Sequence, residues 1–143
     1  MMTKILLAVD GSDCSLRAVD HLLELIAAFS EAPEIHLLYV QPPIPMGGVL
    51  AHVSKETLDA HYREEAEHEL AAARQRLAAA GVPYILHIHV GQAAPLIVKL
   101  AGELGCRLIA MGAHGRGALA GALCGSVTTR VMHLSHLPVM VIK

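Results

Sequence analysis

The sequence predicts an α/β fold, a three-layer sandwich in which a five-stranded parallel sheet lies between helices on both faces. Short aliphatic runs alternate with longer segments whose apolar residues recur every three or four positions, the pattern of strands alternating with helices. The strand-like runs are apolar at nearly every position, which is typical of strands covered on both faces. Because the 143 residues contain no internal repeat and no linker, we expect one domain over residues 1–143.

The first half of the chain contains two predicted strands and one predicted helix. The first strand is the run Thr3–Val9, which stops at Asp10-Gly11-Ser12. A helix is predicted from about Ser12 to Phe29, because apolar residues recur at helical spacing and either of its first two residues can cap its start. The second strand is predicted at Ile35–Val40. A loop rich in proline and glycine follows over residues 41–51.

The second half continues the same alternation. A long helix is predicted over Ser54–Ala80, where an apolar stripe runs at helical spacing and Gly81 ends the pattern. The remaining predicted elements are a strand at Tyr84–Val90, a helix at Gln92–Leu104, a strand at Arg107–Met111, a helix at Ser126–Leu134 and a strand at Pro138–Ile142.

Composition excludes several classes of protein. The formal charge is −2 and only 3% of residues are aromatic, so the chain has neither a basic stripe for phosphates nor rings on which bases stack. No apolar run is long enough for a membrane span, and the N-terminus does not read as a signal peptide. The three cysteines (Cys14, Cys106 and Cys124) are scattered and odd in number, which favours a reducing, cytoplasmic location.

Parallel sheets bind ligands at the carboxyl ends of their strands, where the strand order reverses. The residues that follow Val9, Val40 and Met111 are therefore the place to look for a site. Glycines cluster there, in Gly112–Gly117 and again at Gly125, which directly precedes a predicted helix. Glycine lets backbone amides approach a ligand closely, and the N-terminus of a helix attracts phosphate.

Polar side chains stand among these glycines. Ser126 and Thr128 offer hydroxyl groups for phosphate oxygens or for a metal-bound water, and Arg116 offers a positive charge. The pattern indicates a polyphosphate cradle, although it is not a Walker loop, because no G-K-[ST] occurs. The alternative is purely structural, with glycine-rich turns, Ser126 as a helix cap and Asp10 as a turn former.

The spacing Gly112-x2-Gly115-x9-Gly125-Ser126 resembles the G-2x-G-9x-G-[S/T] signature of the universal stress protein family. Further likeness lies at residues 5–12, 90–91, 108–112 and 138–142, so it extends from about residue 3 to the end of the chain. The resemblance implies a Rossmann-like fold of the adenine nucleotide alpha-hydrolase type, with strand order 3-2-1-4-5. It also places the chain with the family members that bind ATP.

The resemblance implies a role for each residue of this site. Asp10 would accept from the hydroxyls of the adenosine, and Val40 would meet the adenine through backbone groups. Ser126 would take part in holding Mg²⁺. The implied nucleotide contacts, for ATP or else ADP or AMP, are Ala8, Val9, Asp10, Val40, Met111, Gly112, His114, Gly115, Arg116, Gly125, Ser126, Val127 and Thr128.

The expected function is that of a nucleotide-dependent switch in stress response or signalling. His114 is the only nearby candidate for hydrolysis and has no carboxylate partner in the sequence, so at most slow ATP turnover is expected. Two alternatives remain, a nucleotide-free interaction module on the same fold and a slow ATPase.

The apolar last strand (Val139, Met140, Val141 and Ile142) predicts a homodimer through a sheet edge, which the resemblance also implies.

Histidines form two further candidate groups. His61, Glu65 and His68 fall on one helix face and can be either metal ligands or a solvated surface. His87 and His89 share one face of the third strand, as a metal-binding arm or as the exposed face of an edge strand. No metal ligands are assigned among them, and the expected partners include neither nucleic acid nor membrane.

Overall fold

The computed structural model describes residues 2–45, 52–115 and 123–143. Strands and helices alternate along the described chain. The strands are β1 (Lys4–Val9), β2 (Glu34–Gln41), β3 (Tyr84–Val90), β4 (Leu108–Gly112) and β5 (Val139–Ile142). The helices are α1 (Asp13–Ile26), α2 (Lys55–Ala79), α3 (Ala93–Leu104) and α4 (Ser126–Leu134).

The five strands form one sheet in the order β3-β2-β1-β4-β5, and every pairing is parallel. This arrangement confirms the predicted fold class and strand order. The chain leaves β1 toward β2 on one side and reaches β4 on the other, so the order reverses between β1 and β4. The carboxyl ends of these two strands therefore border the crevice in which such sheets bind ligands.

Both faces of the sheet are buried, which explains the uninterrupted apolar strands. Alternate residues of β1 show this clearly: Ile5 and Leu7 pack with α1 and α2, whereas Leu6 packs with α3 and α4. These three side chains are fully buried. The aliphatic surplus of the sequence is thus the interior of a three-layer sandwich.

Helix α1 is shorter than predicted. Ser12 caps its start as expected, since its side chain accepts a hydrogen bond from the backbone of Ser15. The helix ends at Ile26, three residues before the predicted end at Phe29. Ala28 and Phe29 donate to carbonyls three residues back, so the chain has left the α-helical bonding pattern before Phe29.

Helix α2 matches its predicted stripe along its C-terminal half. Ala66, Leu70, Ala73 and Leu77 are buried against the sheet and α1. Ser54 caps its start by accepting from the backbone N–H of Thr57. In the described ranges, no helix combines the length and the apolar character that crossing a membrane would require.

Candidate functional site

A cavity of about 560 Å³ opens at the carboxyl ends of β1, β2 and β4. Its volume falls within the range of about 300–1,000 Å³ that is usual for small-molecule sites. Every residue predicted to contact a nucleotide and lying in the described ranges lines it: Ala8, Val9, Asp10, Val40, Met111, Gly112, His114, Gly115, Gly125, Ser126, Val127 and Thr128. Arg116, which was also predicted, lies outside the described residues.

The turn after β1 is held by short-range hydrogen bonds around Asp10. Its Oδ1 accepts from the backbone N–H of Ser12 at 2.9 Å. Its own backbone N–H donates to Oγ of Ser15 at 3.1 Å. Ser12 and Ser15 belong to the N-cap and first turn of α1, so the start of this helix fixes the position of the Asp10 carboxylate beside the cavity.

The turn after β4 is packed against two other parts of the chain. Ala113 donates to the carbonyl of Ile142 at 2.6 Å, and Gly125 donates to the carbonyl of Ala113 at 2.7 Å. Gly112 passes so near α1 that a Cβ atom there would lie 2.9 Å from the carbonyl carbon of Cys14. The first glycine of the signature is thus needed for the crossing of β4 over α1, as well as bordering the cavity.

The N-terminus of α4 faces the cavity without a capping side chain. Its N-cap residue is Gly125, which makes no side-chain cap hydrogen bond. The backbone N–H of Thr129 donates to Gly125 and begins the helical bonding. The N–H groups of Ser126, Val127 and Thr128 precede that bond, and such groups have no acceptor inside a helix. Amides at this position and the positive end of the helix dipole favour an anion.

The side chains of Thr128 and His114 line the cavity and differ in the hydrogen-bonding groups that a ligand could use. The hydroxyl of Thr128, buried at 2% exposure, donates to the carbonyl of Gly112 at 2.8 Å. Its single proton is therefore used within the protein, and only its backbone N–H remains as a donor. In contrast, the buried Nδ1 atom of His114 has no hydrogen-bond partner within the described residues. An orphaned buried nitrogen is costly, so it points to a ligand that completes the site.

The structure adds lining residues that sequence reasoning missed. Tyr39 and Gln41 border the cavity from β2, and the Tyr39 hydroxyl donates to Oε1 of Gln41 at 2.6 Å. Glu65 and Glu69 of α2 also line it. Tyr39 therefore brings one aromatic ring to the wall of the cavity. The sequence held one signal for these residues. Glu69 falls within the apolar stripe of α2, and a carboxylate at a buried position often has a binding or pairing role.

The histidine groups fit the metal hypotheses poorly. Glu65 lines the cavity, whereas His61 and His68 are exposed on α2. Within the described ranges, no three side chains of histidine, cysteine, aspartate or glutamate lie close enough to hold a metal. His89 is exposed as one alternative expected, but His87 is half-buried and hydrogen-bonded to His36 of β2. The interpretation of both residues as one exposed face was wrong for His87, because β2 brings a second ring beside it.

Comparison with known proteins gives the family. A profile described as the universal stress protein family matches residues 1–143. The chain belongs to the universal stress protein family. A curated member, the universal stress protein MJ0531 of Methanocaldococcus jannaschii, is 33% identical over 140 residues, which cover 98% of this chain and 81% of that protein.

Solved structures of other universal stress proteins share the fold. MJ0577 of the same archaeon superposes with a TM-score of 0.84 at 31% identity, covering all of this chain and 96% of the other. A universal stress protein solved in complex with cAMP superposes with a TM-score of 0.70 at 26% identity, over 99% of this chain and 97% of that one. An adenine nucleotide is thus a ligand of one structural neighbour.

Proposed function

We propose that this universal stress protein binds an adenine nucleotide in the cavity above β1, β2 and β4 and acts as a nucleotide-dependent switch in stress response. ATP is the proposed ligand, with ADP and AMP as close alternatives. One observation carries the proposal: the uncapped start of α4 and the orphaned Nδ1 of His114 border the same cavity. The amides of α4 call for acceptor oxygens, which a phosphate chain supplies, and Nδ1 of His114 can bond the ligand as a donor or as an acceptor.

The parts of the cavity lining differ in chemistry, and that difference suggests an orientation for the ligand. The α4 end offers backbone N–H groups. Elsewhere the cavity is lined by apolar side chains of α3 and by Glu65 and Glu69 of α2. Carboxylates repel a phosphate chain but accept hydrogen bonds from an amino group. A nucleotide would therefore place its phosphates at α4 and its base toward β2, where Val40 would meet the adenine.

Other lining residues would hold the sugar and the metal. Asp10 lies beside the cavity with its carboxylate held by the start of α1, which suits it to accept from ribose hydroxyls. Ser126 begins α4 and would hold Mg²⁺ through its hydroxyl or through a metal-bound water. When bound, Mg²⁺ would neutralise part of the phosphate charge. The cAMP complex of a neighbour at 26% identity supports an adenine ligand.

A binding role is favoured over an enzymatic one. Phosphoryl transfer needs a group that orients the attacking water, and His114 is the candidate. Its Nδ1 has no partner inside the described ranges, so no carboxylate orients the ring through that atom. We therefore propose a binder that retains its nucleotide. A slow ATPase and a nucleotide-free interaction module are the alternatives.

Calorimetry and mass spectrometry test the proposal together. Mg-ATP titrated into the purified protein at millimolar concentration is expected to release binding heat, with adenosine and Mg-tripolyphosphate as part-ligand controls that bind more weakly. Mass spectrometry of small molecules released on denaturation would identify the retained nucleotide. Absence of heat together with absence of any released nucleotide would favour the interaction module.

We further propose a homodimer through β5. The sheet order places β5 at one edge, and each of its residues is partly buried. Within the described part of the sheet, only β4 pairs with it. A second copy of the strand, related by two-fold symmetry and running antiparallel, would cover both open backbones.

All three cysteines are free, which is consistent with the proposed cytoplasmic location.

A further inference from the structure

Three side chains of the neighbouring strands β2 and β3 form a hydrogen-bonded row. Oε1 of Glu34 lies 2.7 Å from Nε2 of His36, and Nδ1 of His36 lies 2.9 Å from Nε2 of His87. We call these three residues the histidine row. His36 is only 3% exposed. The row lies on the α3 face of the sheet, since His36 is in register with Leu6 and His87 with Leu38, both of which pack toward α3.

The two contacts determine how many protons the row can hold. A carboxylate accepts only, so Nε2 of His36 carries a proton and donates it to Glu34. In the neutral ring Nδ1 is then an acceptor, and Nε2 of His87 must donate to it. One further proton fits on Nδ1 of His87. A second would put N–H groups face to face across 2.9 Å, which breaks the contact.

Burial and two neighbouring histidines oppose protonation of His87. The other charged or titratable groups near the row lie on β1 and α3. Its pKa is lowered by burial, then by His36, then by His89, which is the next residue on the same face of β3. Lys4 of β1 lies 3.9 Å from Glu34 and adds positive charge at the far end. On α3, Lys99 pairs with Glu103 at 3.7 Å, and both border a small cleft with His89. Burial raises the pKa of the Cys106 thiol, so it adds no charge near neutral pH.

Strand β3 is the element that this row attaches. It is the edge strand beside β2, and Ile85, Ile88 and Val90 are 45–47% exposed. Its other face meets a separate polar contact, Arg74 of α2 with the hydroxyl of Tyr84. The strand pairs with β2 in parallel from Tyr84 to Val90, and the side-chain contact between His87 and His36 adds to this backbone pairing. Loss of one link would therefore act locally rather than on the whole sheet.

We propose that the histidine row is an acid-sensitive latch that holds the edge strand β3 on β2 at neutral pH and releases it when a second proton enters the His36–His87 pair. Acidification then opens the contact between His36 and His87, because the two ring nitrogens that face each other cannot both carry a proton at that distance. The latch depends on Glu34, because the carboxylate sets the tautomer of His36. It does not depend on nucleotide binding.

Residue-resolved hydrogen exchange tests the latch in the full chain. Protection factors of β3 amides, corrected for intrinsic exchange, are expected to fall about tenfold or more between about pH 7.5 and pH 5, whereas β1 and β4 amides stay protected. In His87→Gln the side-chain amide still donates to His36 but does not titrate, so the fall should disappear. His89→Gln is the matched control on the same face, and its β3 should still respond to acid.

Three results would overturn the latch: β3 protection independent of pH in the wild-type chain, a pH response retained in His87→Gln, or one lost in His89→Gln. If His87→Gln fails to fold, NMR titration of the wild-type imidazoles tests instead whether His36 and His87 share a proton. Linked titration of His36 and His87, with one proton taken up by the pair before β3 loosens, is expected. Independent titration of both rings, each near about pH 6.5, would contradict the shared proton.

Discussion

Gly115 lies directly against the carboxylate of Asp10, so close that a Cβ atom at position 115 would collide with Oδ2. The turn after β4 and the turn after β1 therefore meet at these two residues, at the point where the strand order reverses. Since the Asp10 carboxylate also accepts from the N–H of Ser12, it has little freedom to move away. Both residues border the cavity proposed for the nucleotide.

Gly115→Ala is expected to weaken nucleotide binding by about tenfold or more, equivalent to about 1.4 kcal/mol. The new methyl group would displace the Asp10 carboxylate or push the turn into the phosphate end of the cavity. Calorimetry with Mg-ATP measures the change. Gly102→Ala is the matched control, because a Cβ there meets nothing within 4 Å. Equal affinity in Gly115→Ala and the wild type would contradict a ligand at this turn.

Gly112→Ala is expected to lower the stability of the fold itself. A Cβ at this position would lie 3.0 Å from the backbone nitrogen of Ser15 and closer still to Cys14. Backbone atoms cannot rotate away, so we expect a loss of about 1–3 kcal/mol, as for other overpacked sites. Urea unfolding of this variant beside the wild type measures it. A Gly112→Ala midpoint at or above the wild-type value would show that the crossing of β4 over α1 tolerates the methyl group.

Val141→Pro is expected to abolish the dimer while preserving the monomer fold. The carbonyl of Pro138 accepts from Ile109 of β4, and that of Ile142 accepts from Ala113 just after β4. Even-numbered residues of this segment therefore direct their backbone groups to β4. By alternation, the N–H of Val141 points to the open edge, and proline there removes a donor without breaking a β4 bond. Light scattering after size exclusion gives the mass. Met140→Pro, which interrupts the β4 side, is the contrasting variant and should unfold the edge. A Val141→Pro dimer would rule out pairing through β5.

Acid is expected to destabilise the protein through His87. Its pKa in the folded chain is lowered below the ordinary 6.5 by burial and by His36 and His89. The unfolded chain therefore binds this proton more readily, and the stability that neutral His87 contributes is present above about pH 6.5 and lost as the pH falls below it. Urea midpoints of the wild type and His87→Gln should differ in pH dependence over that window. Parallel pH profiles would show that His87 titrates normally.

His114→Ala is expected to weaken ATP binding. We expect no steady ATPase activity in the wild type, so the substitution should change binding alone. The imidazole carries the orphaned buried Nδ1, which a ligand group would satisfy. Its loss should lower affinity several-fold, by about 1 kcal/mol for one hydrogen bond. Phosphate release assays on both proteins provide the check. Steady turnover by the wild type that disappears in His114→Ala would favour the slow ATPase.

The sequence by itself predicted the fold and the strand ends and turns that line the candidate site. Alternating strand and helix patterns predicted the sheet, and the spacing from Gly112 to Ser126 located the turns that line the cavity. Such features are local, since periodicity and glycine spacing depend on neighbours in the chain.

Only the tertiary structure decided which distant side chains meet. It placed Glu65 and Glu69 of α2 at the cavity and set His87 beside His36. It also bonded the Thr128 hydroxyl to the carbonyl of Gly112. A helical period shows which face of α2 is apolar but not which turn of it reaches the crevice. A strand pattern likewise does not show which residue of β3 stands beside His36. Those relationships depend on register and helix packing between segments far apart in sequence, which are fixed when the whole sheet assembles.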